Sequence, residues 1–118
     1  MRKRSKNKAL LDKADRALQD FYRTKKLKCE SCGKRANLVH HFIEKSRCNF
    51  LRFNDKNLIP LCAKCHSLHH CFGDSTIIGN VIFKRGKKWY NTIQKLRREY
   101  LELSEEYLLG ILEKYGKR

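Results

Sequence analysis

The reading turns on one stretch: Cys29-Glu-Ser-Cys32, then Val39-His40-His41, then Asn57, then Cys62-Ala-Lys-Cys65-His66-Ser-Leu-His69-His70. Two Cys-x-x-Cys pairs bracket a His-His pair, and the second runs directly into a His-x-x-x-His. Thiols and imidazoles at these spacings read as two metal sites of different kinds. One holds the fold together and one is open to chemistry.

Cys29, Cys32, Cys62 and Cys65 suit a tetrahedral Zn²⁺ held by four thiolates. Four thiolates leave no open position, so this ion is structural. Thiolates in a Cys-x-x-Cys pair converge when the backbone turns sharply, and Gly33 permits that turn. Cys48 and Cys71 are left as free thiols, although Cys71 lies close to the helix ligands.

His66 and His70 stand four apart on a predicted helix, which puts both imidazoles on one face. His40, from a predicted strand, is the third ligand. Three protein ligands leave room for water and a phosphate oxygen, a catalytic arrangement. On a regular strand His40 and His41 point to opposite faces. That frees His41 to act as a general base, with an ordinary pKa of about 6.5. His69 is assigned to the surface, off the ligand face, as a DNA-contacting or solvated residue.

The chain has 118 residues and a formal net charge of +16 at pH 7. That length predicts a single domain, 1–118. Its parts are a basic N-terminal helix over 1–28, a strand–strand–helix metal core over 29–71, and a connector with a C-terminal helical segment over 72–118. The class is α+β. Apolar residues Leu10, Leu11, Ala14, Leu18, Phe21 and Tyr22 recur at helical spacing, with Asn7 as N-cap. Strands are predicted over 37–43 and over 58–61, the second at an edge because of Pro60. Residues 44–57 read as irregular, and a helix is expected from about Cys62 to about Cys71, ended by Phe72-Gly73-Asp74. Ser75 to Phe83 reads as a strand or a loop packed on the core. From Gly86 a stripe of Trp89, Ile93, Leu96, Tyr100, Leu103, Tyr107 and Ile111 predicts a long helix, or two if Ser104 caps a second. The stripe covers the core of its own chain, or its Leu103 to Ile111 part forms a homodimer seam.

A charge so far from zero implies a polyanionic partner. Lys84, Arg85, Lys87, Lys88, Arg97, Arg98 and the Arg2-Lys-Arg4 arm are candidates for the phosphate backbone, and Arg47 and Arg52 for the scissile region. No run is long and apolar enough to span a membrane, and no apolar signal core follows the basic N-terminus. The expected location is intracellular and cytoplasmic, where paired cysteines favour metal over disulfide.

These residues resemble the HNH, or ββα-metal, endonucleases. The family pattern is a His-His or Asp-His pair on a first strand, an Asn before a second strand, and a helix carrying the last metal ligand. Here those are His40-His41, Asn57 and His66-x-x-x-His70, with the Cys-x-x-Cys decoration also found in the family. The resemblance covers residues 29–70. It implies that His41 activates water and that His40, His66 and His70 hold the divalent ion. Asn57 would hydrogen-bond across the loop and keep His41 oriented. His40 stands where many members have Asp, so the ion is Mg²⁺, Mn²⁺, Ni²⁺ or Zn²⁺. The run His41-Phe-Ile-Glu-Lys-Ser46, with Asn49-Phe-Leu-Arg-Phe53, resembles phage recombination nucleases of the NinG type more weakly. That likeness implies a bacterial or phage-infected host and branched DNA as one substrate.

The function expected is therefore metal-dependent hydrolysis of DNA phosphodiester bonds. The resemblance implies products with 5′-phosphate and 3′-hydroxyl ends. The alternative is a non-catalytic, zinc-stabilised nucleic-acid-binding module. A ribosomal or structural RNA-binding protein fits only the charge.

Overall fold

The computed structural model describes residues 2–116, with side chains from residue 7 onward. The side chains of the Arg2-Lys-Arg4 arm lie outside the described residues. Leu38–His41 (β1) and Leu58–Leu61 (β2) pair antiparallel, with Val39 opposite Pro60 and His40 opposite Ile59. Among the described residues six helices surround this sheet: α1 Arg2–Thr24, α2 Asn49–Arg52, α3 Ala63–Phe72, α4 Ser75–Arg85, α5 Lys87–Leu96 and α6 Glu105–Gly116. The class is α+β, as the sequence predicts. No helix among the described residues is long and apolar enough to cross a membrane.

A two-stranded sheet has two open edges, and each is closed by a neighbour. On β1 the Gln19 amide of α1 acts as a short third strand. Its Nε2 donates to Val39 O at 2.9 Å, and its Oε1 accepts from Val39 N–H at 2.9 Å. On β2 the Glu30 N–H donates to Pro60 O at 3.0 Å. Pro60 therefore takes an edge position as expected, where its missing N–H leaves no ladder bond unmade.

The apolar residues sort into three clusters. Ala14 and Leu18 of α1 meet Leu108, Ile111 and Tyr115 of α6 over Val39, Phe53 and Leu58. Ile77 and Val81 of α4 cover the cysteines together with Ile59 and Leu61. Ile93 of α5 packs on Ile43, Cys48 and Leu51. The largest core thus clamps the sheet between α1 and α6.

Three expectations change, and one open alternative is decided. Asn7 lies inside α1 rather than capping it, because no helix breaker precedes it and the helix runs back to Arg2. Residues 44–57 are not irregular throughout: α2 forms there and buries Leu51, and a 3-10 turn covers Asp55–Asn57. Ser75 to Phe83 is neither strand nor loop but most of α4. Ile77, Ile78, Val81 and Ile82 follow a helical step of four, and Asp74 caps the start by accepting from Thr76 N–H at 3.0 Å. Local β-propensity is overruled by capping and burial. The C-terminal segment is two helices, with Ser104 Oγ accepting from Tyr107 N–H at 3.1 Å as its predicted cap.

That break divides the apolar stripe. Trp89, Ile93 and Leu96 pack toward the third cluster, whereas Leu103, Tyr107 and Ile111 pack on α1. Tyr100, between them, is 83% exposed. Of the Leu103 to Ile111 part, Leu103, Tyr107 and Ile111 pack within their own chain, where α1 offers an apolar partner at no cost of association.

Candidate metal centre

The thiol site is built where the sequence predicts it. The 29–33 knuckle turns at Gly33, whose φ of 81° lies in the left-handed region that favours glycine. Cys29 N–H donates to Lys34 O at 2.6 Å and Gly33 N–H to Cys29 O at 2.9 Å, closing the turn. Cys62 stands at the start of α3, and its sulfur accepts from Cys65 N–H at 3.4 Å. The helix N-terminus favours a thiolate there. The four sulfurs all lie within 4.8 Å of one another, and Cys32 Sγ is 3.7 Å from Cys62 Sγ. Two sulfurs bound at about 2.3 Å to a tetrahedral zinc stand about 3.8 Å apart, so the geometry fits that ion.

The thiol electrostatics agree. Burial pushes Cys29 up, but the backbone hydrogen bonds from Cys32, Cys62 and Ser31 outweigh it and bring the thiol down to about 7. Burial and the neighbouring sulfurs push Cys65 up to about 12. Without a cation the cluster accepts one anion and resists the next; a divalent ion removes that penalty. These four cysteines can therefore hold a structural metal such as zinc.

The second cluster is imidazole. β1 delivers His40, and α3 delivers His66, His69 and His70. The His40 ring centroid is 5.5 Å from that of His66, 5.2 Å from His69 and 5.2 Å from His70. His40 Nδ1 and His70 Nε2 are 3.4 Å apart. Burial first, then the neighbouring His66, His69, His70 and His41, hold the His40 pKa down to about 3. His66 and His69 are also lowered, by burial and by His70. Imidazoles turned toward one another, with no carboxylate among them, are a donor set that suits a divalent cation. The set with ligand atoms within 4.8 Å of one another is His40, His69 and His70. His69 is thus not off the ligand face, as expected from the sequence. It lies three residues after His66, and residues three apart share a helix face as residues four apart do.

His40, His41, His66 and His70 line a cleft of about 490 Å³, together with Gln19, Glu44, Lys45 and Ser46. His41 Nε2 lies 2.8 Å from Arg52 O. A carbonyl can only accept, so Nε2–H donates and Nδ1 keeps its lone pair. Burial lowers the His41 pKa despite this hydrogen bond, so the ring is neutral at pH 7. Asn57 is fully buried. Its Oδ1 accepts from Ile43 N–H at 2.7 Å, and its Nδ2 donates to Ile43 O at 3.0 Å and to Leu51 O at 3.2 Å. One amide thus ties the end of β1 to α2, whose Arg52 carbonyl holds His41. Asn57→Ala leaves Ile43 N–H and Ile43 O without this partner, whereas Leu51 O keeps the Asn54 N–H at 3.2 Å. We expect a loss of about 2–4 kcal/mol in urea unfolding, at about 1–3 kcal/mol per stranded buried group with partial hydration. A loss below about 0.5 kcal/mol would show that water replaces the amide.

The basic candidates divide. Lys84, Lys87, Lys88, Arg97 and Arg98 are exposed, and the Arg47 side chain is 66% exposed beside Glu44. Arg52 and Arg85 are paired within the chain. Arg52 Nη2 donates to Asp15 Oδ2 of α1 at 2.6 Å. Arg85 Nε donates to Glu30 Oε1 at 2.6 Å, and its Nη2 donates to Leu58 O at 3.0 Å. Both guanidiniums sit in partly buried ion pairs that join elements, because a planar fork fits a carboxylate and water is scarce there. Sequence reading missed Asp15, Gln19 and Lys45. Their roles depend on how α1 lies against β1, and no local pattern encodes that.

No family model matches this chain, and neither a curated protein nor a solved structure is significantly similar to it.

Proposed function

We propose that this protein is a metal-dependent endonuclease of the HNH type that hydrolyses DNA phosphodiester bonds, with duplex or branched DNA as substrate. One observation carries the reading. Consecutive residues of β1 present an imidazole to a metal-competent cluster and a second imidazole, held as a neutral base, to the same cleft.

In this reading His40, with His70 and His66 of α3, would hold a divalent ion, which would supply Lewis-acid polarisation of the phosphoryl oxygen and stabilisation of the leaving 3′-oxygen. His41 Nδ1 takes the proton from the attacking water, while Arg52 O fixes the ring. Asn57 keeps the loop carrying His41 in register. The Lys45 ammonium, in the cleft lining and 3.9 Å from Asp15 Oδ2, puts a cation where a phosphate enters. The exposed lysines and arginines of α4 and α5 hold the backbone without reading bases.

A second reading, a non-catalytic zinc-stabilised nucleic-acid-binding module, has one observation in its favour. Four imidazoles are enough to close a tetrahedral ion. Plasmid and branched-DNA cleavage with Mg²⁺, Mn²⁺, Ni²⁺ and Zn²⁺, run beside His41→Ala, separates the two. Both readings expect steep salt dependence from the +16 charge. Each phosphate neutralised on duplex DNA adds roughly −0.9 to the slope of log affinity against log salt. We expect a slope of about −5 or steeper by fluorescence anisotropy; one of about −2 or shallower would mean that the basic surface does not face the DNA.

A further inference from the structure

We infer that His69 is a ligand of the divalent ion, that it holds the ion with His40 and His70, and that His66 is the exchangeable imidazole on the cleft side. This rests on the metal-dependent reading above, and names which imidazoles hold the ion and which one competes with a phosphate.

Ring nitrogens bind a tetrahedral ion at about 2.0–2.1 Å, so two of them stand about 3.4 Å apart and their ring centroids about 5 Å apart. His40 Nδ1 and His70 Nε2 are 3.4 Å apart. The centroid distances are 5.2 Å for His40 to His69, 5.2 Å for His40 to His70, and 4.9 Å for His69 to His70. All three pairs match one shared ion. His66 scatters around that value, at 4.4 Å from His70 and 5.5 Å from His40, and stands outside the trio of mutually close ligand atoms.

A second observation is independent of these distances. His69 Nδ1 is buried and has no hydrogen-bond partner among the described residues. A buried nitrogen of this kind is costly unless it is itself satisfied, as it is when an ion binds at Nδ1. An ion shared with His40 and His70 explains why an imidazole is kept there.

The cleft sets the division of labour. His66 and His70 line it with His40 and His41, and His69 does not. An imidazole away from the cleft keeps its place when substrate enters. One that lines it occupies the side from which a phosphate oxygen comes. Four imidazoles fill a tetrahedral ion such as Zn²⁺, whereas a six-coordinate ion such as Mn²⁺ or Ni²⁺ keeps two positions open. His66 is then the ligand that decides whether the site is closed or open.

The test is a Co²⁺ titration of full-length protein whose four thiolates already carry zinc, with no DNA present. Affinity and visible absorption are read for wild type, His69→Ala and His66→Ala. Alanine favours helix, so α3 persists in both variants, and circular dichroism checks it. His69→Ala is expected to lose at least about tenfold in affinity, since even partners one shell further out cost about 10–100-fold. His66→Ala is expected to lose less than about threefold, and its absorption weakens as water raises the coordination number. A His69→Gln protein repeats the measurement with a polar, non-ligating side chain. His69 variants binding within threefold of wild type overturn the assignment, and so does an equal loss in His66→Ala. A protein that cuts no DNA in any metal can still pass or fail this titration, so the two readings fail separately.

Discussion

Cys62→Ser is expected to abolish the cooperative folded state at neutral pH. Cys62 is a sulfur of the thiol cluster, the cap of α3 and a member of the core around Ile59 and Val81. Structural zinc in small domains contributes about 10–16 kcal/mol of apparent binding free energy. Whole domains are stable by only about 5–15 kcal/mol, so losing one thiolate removes a share the rest of the fold cannot replace. The loss reaches the imidazoles too, because α3 carries His66, His69 and His70 from that anchored start. Circular dichroism and zinc content report it directly. Wild-type protein stripped by a strong chelator should behave the same way. A Cys62→Ser protein that melts within a few degrees of wild type, or a stripped protein that stays folded, would remove the structural role of the thiol site.

His41→Ala is expected to lower DNA cleavage by about two to four orders of magnitude, the usual effect of removing a general base. Fold and DNA affinity should stay close to wild type. The reason is the narrow set of contacts His41 makes. Its ring hydrogen-bonds to Arg52 O and lines an open cleft, and it belongs to none of the three apolar clusters. Water can reach the Arg52 carbonyl once the ring is gone. Single-turnover plasmid cleavage, unfolding and anisotropy together make the measurement. Wild-type cleavage by this variant would sink the base assignment, and a matching fall in affinity would make His41 a binding residue instead.

The two edge closures show how far sequence patterning reaches. Pro60 announces an edge strand because proline cannot donate, and that rule is local. Gln19 announces nothing, since an amide on a helix is ordinary until β1 lies alongside it. The same divide separates Gly33, whose turn follows from its own backbone freedom, from Arg52 and Arg85. A surplus of cations reads as a DNA footprint, yet these two meet Asp15 and Glu30 across the fold in partly buried ion pairs. In α4 the β-branched Ile77, Ile78, Val81 and Ile82 suggested strand, and only the Asp74 cap and the burial of Ile77 and Val81 make it a helix.

The sequence by itself determined the four-cysteine cluster, the β1–β2–α3 order and the strongly basic character. Each depends on ligand spacing, a short-range period or composition, which act along the chain. Tertiary structure alone decided that His69 joins His40 and His70, that the C-terminal stripe splits between two clusters, and that two arginines are consumed in ion pairs. Those outcomes depend on which surfaces meet. Apolar burial and partly desolvated charge pairs are properties of neighbours in space, and neighbours far apart along the chain leave no periodic trace in it.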